Sequence, residues 1–152
     1  MPTLAIAIET AARAHAGRIG EDGDPEVLHC MRVMLRLQAD DERQVAMLHD
    51  VIEDGGMHAQ QLLKIGFASD IVQAVEVLTG RPDETYDDYI QRVIQMPLAA
   101  RVKQADVEEH AQVVGNMAAS PEQAMRMANY ARARKVLADF LAGSALVTAA
   151  IQ

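Results

Sequence analysis

The sequence has no tryptophan, two phenylalanines and three tyrosines, so aromatics make up only 3% of its 152 residues. A core must therefore be assembled from Leu, Ile, Val, Ala and nine Met, a palette that suits packed helices better than a β-sandwich. Cysteine is almost missing: the lone Cys30 excludes an internal disulfide and fits a reducing compartment. Bases are scarce, with 14 Lys and Arg against 22 Asp and Glu, and the net charge of -8 argues against a general nucleic-acid surface. Long apolar runs are lacking too. The C-terminal ALVTAAI falls far short of the roughly 20 residues that span a bilayer. The opening MPTLAIAIETAARAHAGR carries acids early, bases late and no cleavage site after a long apolar run, so a mature cytoplasmic chain with no membrane partner is expected.

What is present is helical periodicity nearly everywhere, with no sustained alternation of the strand kind. The expected fold is all-α, as one domain over residues 1–152. Pro2 begins a helix running to about Arg18, and GEDGD follows as a loop. Asp24 caps a second helix, with Pro25 at its first position, that runs to about Gln38. Asp40 or Asp41 caps a third, DERQVAMLHDVIED, stopped by Gly55 and Gly56. HAQQLLKI is a short helix ending at Gly66, and Ser69 opens another that Gly80 and Pro82 close. YDDYIQRVIQM is helical up to Pro97, and PLAARVKQADVEEHAQV forms the next helix. The last long helix starts at Ser120 with Pro121 at its first position, and Gly143 marks its end.

The chemistry concentrates in LHDVIED. On one helix, His49 and Glu53, like Asp50 and Asp54, are four residues apart and share a face. A solvated acidic helix end would account for such a cluster. Acids at a helix C-terminus, however, oppose the negative end of the dipole unless a cation compensates. An imidazole beside a carboxylate suits a metal of intermediate hardness such as Mn, Fe or Zn. Two further donors sit inside otherwise apolar helices, His29 in VLHCMRV and Asp106 in RVKQADVEEHA. Either could be a satisfied core residue, but the order His, His-Asp, distant Asp is more informative than any single member.

The pattern His29, His49-Asp50, Asp106 resembles the signature of the HD-domain metal-dependent phosphohydrolases. With AHAG at 14–17, GDP at 23–25, LHDVIED, VEVLTGRP and RVKQAD, the chain is similar to the hydrolase domain of the RelA/SpoT family and its small alarmone hydrolases over residues 5 to 140. The resemblance implies one divalent metal, usually manganese, held by His29, His49, Asp50 and Asp106. It implies that Glu53 and Asp54 assist attack on the 3'-pyrophosphate of guanosine 3',5'-bis(diphosphate), with structural support of the ligands as the alternative. Lys103 matches a basic residue that could meet a substrate phosphate or lie at the surface. His15 matches a family position and is expected to brace the first helix rather than touch metal. Tyr130 and Arg134 fall where the small hydrolases often have a substrate-facing aromatic or base.

The chain also departs from that pattern. Gly20 replaces the base that packs on guanine, which leaves Arg18 as the nearby cation, and Glu26 and Cys30 replace the usual Tyr and Pro. Where the family tends to read DRLHN this chain reads DVEEH, so Val107 replaces Arg and His110 replaces Asn. His110 could be a compensating polar group at the pocket or a surface residue on a helix end. The metal chemistry is therefore expected to survive while the nucleotide is open. The expected function is cleavage of a nucleotide pyrophosphate. The alternatives are another nucleotide or phosphoester substrate, or a nucleotide-binding module without turnover. A monomer or a homodimer is equally compatible with the sequence.

Overall fold

The computed structural model of the chain describes residues 2–152. Eight helices are found among them, and no strand: α1 (Leu4–Ala14), α2 (Glu26–Leu35), α3 (Asp40–Leu48), α4 (Ala59–Ile65), α5 (Ser69–Leu78), α6 (Tyr86–Val93), α7 (Pro97–Gly115) and α8 (Pro121–Ile151). The all-α expectation holds. Among the described residues no helix is long and apolar enough to cross a membrane.

The start signals act locally. Pro97 and Pro121 each occupy a first helical turn, where a missing N–H costs nothing. Ser120 caps α8 by accepting from the Gln123 N–H at 3.0 Å, and Thr85 caps α6 by accepting from the Asp88 N–H at 3.1 Å. Asp24 gives no side-chain cap; Pro25 is the N-cap of α2, one residue later than the spacing suggested. Four helix ends differ clearly from expectation. The first helix stops at Ala14 and the second at Leu35, several residues early. The last runs through Gly143 to Ile151, because a single glycine costs a helix only about 1 kcal/mol and nothing lies within 4 Å of where its Cβ would be.

The most consequential difference is in the third helix, which ends at Leu48 and not at Asp54. The His49 ring Nδ1–H donates to the Ala46 carbonyl at 2.6 Å, beside the position where the Asp50 N–H would bond in a continuing helix. The chain tightens instead: the Val51 N–H reaches the Leu48 carbonyl at 3.0 Å, and the Asp54 and Gly55 N–H groups both reach the Asp50 carbonyl. LHDVIED is thus the last residue of α3 followed by a knot of turns. Gly55 closes that knot because a Cβ there would meet the Val51 carbonyl at 2.7 Å.

α7 lies at the centre and packs against α2, α3, α5, α6 and α8, while α1 covers α2 and α3. The core is aliphatic, as the composition required: Val33, Val45, Met47, Leu48, Val51, Leu62, Val75, Ile90, Val102, Val107 and Leu137 are among its fully buried members. Burying such a side chain contributes about 1.5–3 kcal/mol. That packing fixes α2, the end of α3 and the middle of α7 against one another, and the polar residues they carry inward meet there.

Candidate metal centre

Three elements supply the centre. α2 presents His29 one turn into its apolar face, the turn after α3 presents His49 and Asp50, and α7 presents Asp106. Asp106 is 2% exposed, His49 4% and His29 8%, so charge here must be compensated by partners and not by water. His29 Nε2 lies 3.0 Å from Asp106 Oδ1 and 3.9 Å from Asp50 Oδ2. His49 Nε2 lies 3.2 Å from Asp50 Oδ2 and 3.4 Å from Asp106 Oδ1. Ligands about 2.1 Å from one ion stand roughly 3.0–3.4 Å apart at octahedral to tetrahedral angles, close to the spacing of these donors.

The His49 ring supplies the sharper test. Its Nδ1 spends its hydrogen on the Ala46 carbonyl, so Nε2 of the neutral ring carries a lone pair. That Nε2 is buried without a hydrogen-bond partner and faces two carboxylates. A lone pair against two anions is unfavourable, so this point calls for a positive charge, either a proton on the ring or a cation between the three groups. Fixing of the outer ring nitrogen by a carbonyl is also the usual support of a metal-binding imidazole. The residues present fit a divalent metal.

The electrostatics agree. Burial opposes charge on Asp50, yet the adjacent His49 holds its carboxyl down at about 2. Burial likewise opposes charge on Asp106, which Lys103 and then His110 hold well below the usual carboxylate range. Burial would lower the His49 imidazole, but Asp50 and Asp106 outweigh it and hold it well above its ordinary range. The buried Asp106 and the half-buried Asp50 thus demand positive charge at this point, from protons or from a metal.

The other candidates separate by place. Lys103 is not a surface lysine: its Nζ is 2.7 Å from Asp106 Oδ2 and 4.9 Å from the centroid of the Tyr89 ring. It lines a cavity of about 340 Å³ together with His49, Asp50, Glu53, Asp106 and His110. Glu53 reaches that cavity with its Oε1 accepting from the Gly80 N–H at 2.8 Å. Asp54 turns away from it: it clusters with Glu26 and Asp50 and faces Arg18 at 3.7 Å. His110 stands at the centre, with its Nε2 3.2 Å from Asp106 Oδ1. Tyr130 is buried with its ring stacked at 6.0 Å on that of His110.

Arg134 is not brought to the site. It is paired with Glu108 at 2.6 Å in a separate surface hollow. α8 turns it that way: Tyr130, Ala133 and Leu137 are the positions that face the core, and Arg134 is exposed. His15 ends α1 in the core, 3.9 Å from Cys30 Sγ, and belongs to no donor group. Val107 is 1% exposed and packs in the core, so its position offers a substrate nothing.

Several participants were missed. Tyr86 and Tyr89 line the Lys103 cavity; their i, i+3 placement, in a chain with three tyrosines, was the available signal. Glu21 contacts His110 at 3.4 Å and Arg126 at 2.9 Å. Glu109, buried on α7, accepts from Arg32 of α2 and from Arg36 just past its end. No local pattern marks either glutamate, because their partners lie on distant elements.

No family model matches the chain, and no curated protein matches it. Among solved structures it is similar to a metazoan ortholog of SpoT that hydrolyses ppGpp and plays a role in starvation responses. The TM-score is 0.72 with 20% sequence identity, over 93% of this chain and 87% of that one. With a centrally placed α7 and a His, His-Asp, Asp cluster in its core, the chain has the all-helical HD-type fold of that hydrolase.

Proposed function

We propose that this chain is a metal-dependent phosphohydrolase acting on the pyrophosphate of a nucleotide, with guanosine 3',5'-bis(diphosphate) as the first substrate to test. The observation that carries the reading is the buried His49 Nε2, without a hydrogen-bond partner and facing Asp50 and Asp106. His29, His49, Asp50 and Asp106 would hold a divalent ion, manganese in the family the sequence resembles. The ion would polarise a phosphate oxygen and lower the pKa of a bound water.

The chain's own groups supply the rest. Glu53, tethered at Oε1 by Gly80, is held at the cavity wall where it can orient a water or take its proton. Lys103 presents a buried positive charge to a phosphoryl oxygen, and Tyr86 and Tyr89 wall the same cavity. Asp54 and Arg18 stand one layer out, where the pair orders the turn that carries Glu53.

A different nucleotide is favoured by one specific feature. Gly20 and Glu26 line the hollow beside His29 and His110, and burial raises the Glu26 carboxyl. That wall offers a carboxyl where the resembling family places groups that hold guanosine. The deciding experiment is a hydrolysis panel with manganese. Release of pyrophosphate from guanosine 3',5'-bis(diphosphate), abolished in Glu53→Gln with metal still bound, supports the reading. Turnover confined to other nucleotides moves the substrate and keeps the chemistry. Nucleotide binding without any turnover makes the chain a binding module.

A further inference from the structure

His110 stands where the resembling family has an asparagine, and its surroundings are those of a ligand. It lies one turn beyond Asp106 on α7, so the two side chains share a face. Its Nε2 approaches Asp106 Oδ1 at 3.2 Å, the same oxygen that His29 Nε2 and His49 Nε2 approach at 3.0 and 3.4 Å. Its other nitrogen, Nδ1, faces Glu21 Oε1 at 3.4 Å. Glu21 is in turn held by Arg126, Nη1 to Oε2 at 2.9 Å and Nη2 to Oε1 at 2.9 Å. A carboxylate behind an imidazole whose inner nitrogen points at a donor cluster is the usual support of a metal-binding histidine. The ring is also sandwiched, 4.5 Å from that of His29 and 6.0 Å from that of Tyr130. His29, Asp106 and His110 each offer a donor atom within 4.8 Å of the others.

We propose that His110 is a metal ligand of this chain, so that one divalent ion is held by three imidazoles, His29, His49 and His110, and two carboxylates, Asp50 and Asp106. This rests on the metal-centre reading above and gives His110 to the metal instead of to the substrate. One ion and not two is proposed because, of the three donor sets, the two that contain imidazoles share His29, and one imidazole nitrogen has one lone pair to give; the third, Glu26, Asp50 and Asp54, holds carboxylates alone. The added imidazole shifts the preference from manganese toward zinc, which favours nitrogen donors.

The test uses cobalt(II) and zinc(II) as probes on the full chain, read by calorimetry and visible absorption, with wild type compared to His110→Asn, Glu21→Ala and His49→Ala. Expected are one ion per chain in wild type, an affinity at least tenfold weaker and an altered cobalt spectrum in His110→Asn, and a loss of about tenfold in Glu21→Ala. Circular dichroism checks that each variant folds; should His110→Asn unfold, Glu21→Ala gives the readout with the ring still in place. Wild-type affinity and spectrum in His110→Asn, with binding lost in His49→Ala, overturn the His110 assignment and leave the metal centre standing. Two ions per chain overturn the single five-donor centre. If wild type binds neither probe, the metal reading and this inference fall together.

Discussion

Glu53 is tied to Gly80 across 27 residues of sequence, its Oε1 accepting from the Gly80 backbone N–H at 2.8 Å. A Cβ on Gly80 would stand 2.8 Å from that same oxygen, closer than such atoms approach. Gly80→Ala should therefore displace the Glu53 carboxylate without touching the metal donors. The expected outcome is a fall in kcat of about 10²-fold, the scale of a misplaced catalytic base, with manganese affinity unchanged. Equal losses of metal binding and turnover would show that the residue supports the fold around the ligands and not the placement of Glu53.

Removal of metal should lower stability, because it leaves the buried Asp106 and the half-buried Asp50 with fewer positive partners. At a free ion concentration of a hundred times Kd the bound form gains about 2.7 kcal/mol. Thermal melts with manganese or zinc against a chelator should show a rise in Tm that vanishes in His49→Ala. A Tm indifferent to both ions would count against the centre.

Lys103 and Asp106 form a buried pair at 2.7 Å. Lys103→Met removes one partner and leaves the other buried, a change that typically costs about 3–5 kcal/mol. Urea unfolding should register a loss on that order for the metal-free protein and a smaller one with metal bound, since the ion takes over part of the compensation of Asp106. A loss under roughly 1 kcal/mol in the metal-free protein would mean that the pair is solvated in solution.

The His110 contact first, and then Arg126, hold the Glu21 carboxyl down at about 2. A depressed carboxyl contributes stability that is present above its unfolded pKa, about 4.5, and is lost as pH falls through about 2. Wild type should therefore be more stable than Glu21→Gln near neutrality, and the difference should shrink between those two values. A gap in Tm that is constant with pH would rule out an ionised Glu21 as its source.

Burial pushes the Cys30 thiol up to about 12, and the residue is fully buried. It should resist alkylation at neutral pH in the folded protein and react only on unfolding. Rapid labelling under native conditions would place Cys30 on a locally opening segment.

Much of this molecule is written locally. The scarcity of aromatics and the helical spacing of apolar residues dictate an all-α core, and Pro97, Ser120 and Pro121 place the starts of two helices within a residue. The order His29, His49-Asp50, Asp106 resembles the HD-domain signature, and the packing of α2, α3 and α7 brings those four side chains together. Tertiary structure settled the rest. Spacing along an ideal helix gathers His49, Asp50, Glu53 and Asp54 on one face, but the His49 ring bonds the Ala46 carbonyl and the chain leaves the helix there. Glu53 and Asp54 consequently part, one to the cavity and Gly80, the other to Glu26 and Arg18. In the same way the packing of α8 on α7 sends Arg134 to Glu108, and the fold of the loop before α2 brings Glu21 behind His110. A sequence pattern fixes which residues can share a face of one element. Partners on different elements are chosen by how those elements pack, and the chemistry of this centre is made almost wholly of such pairs.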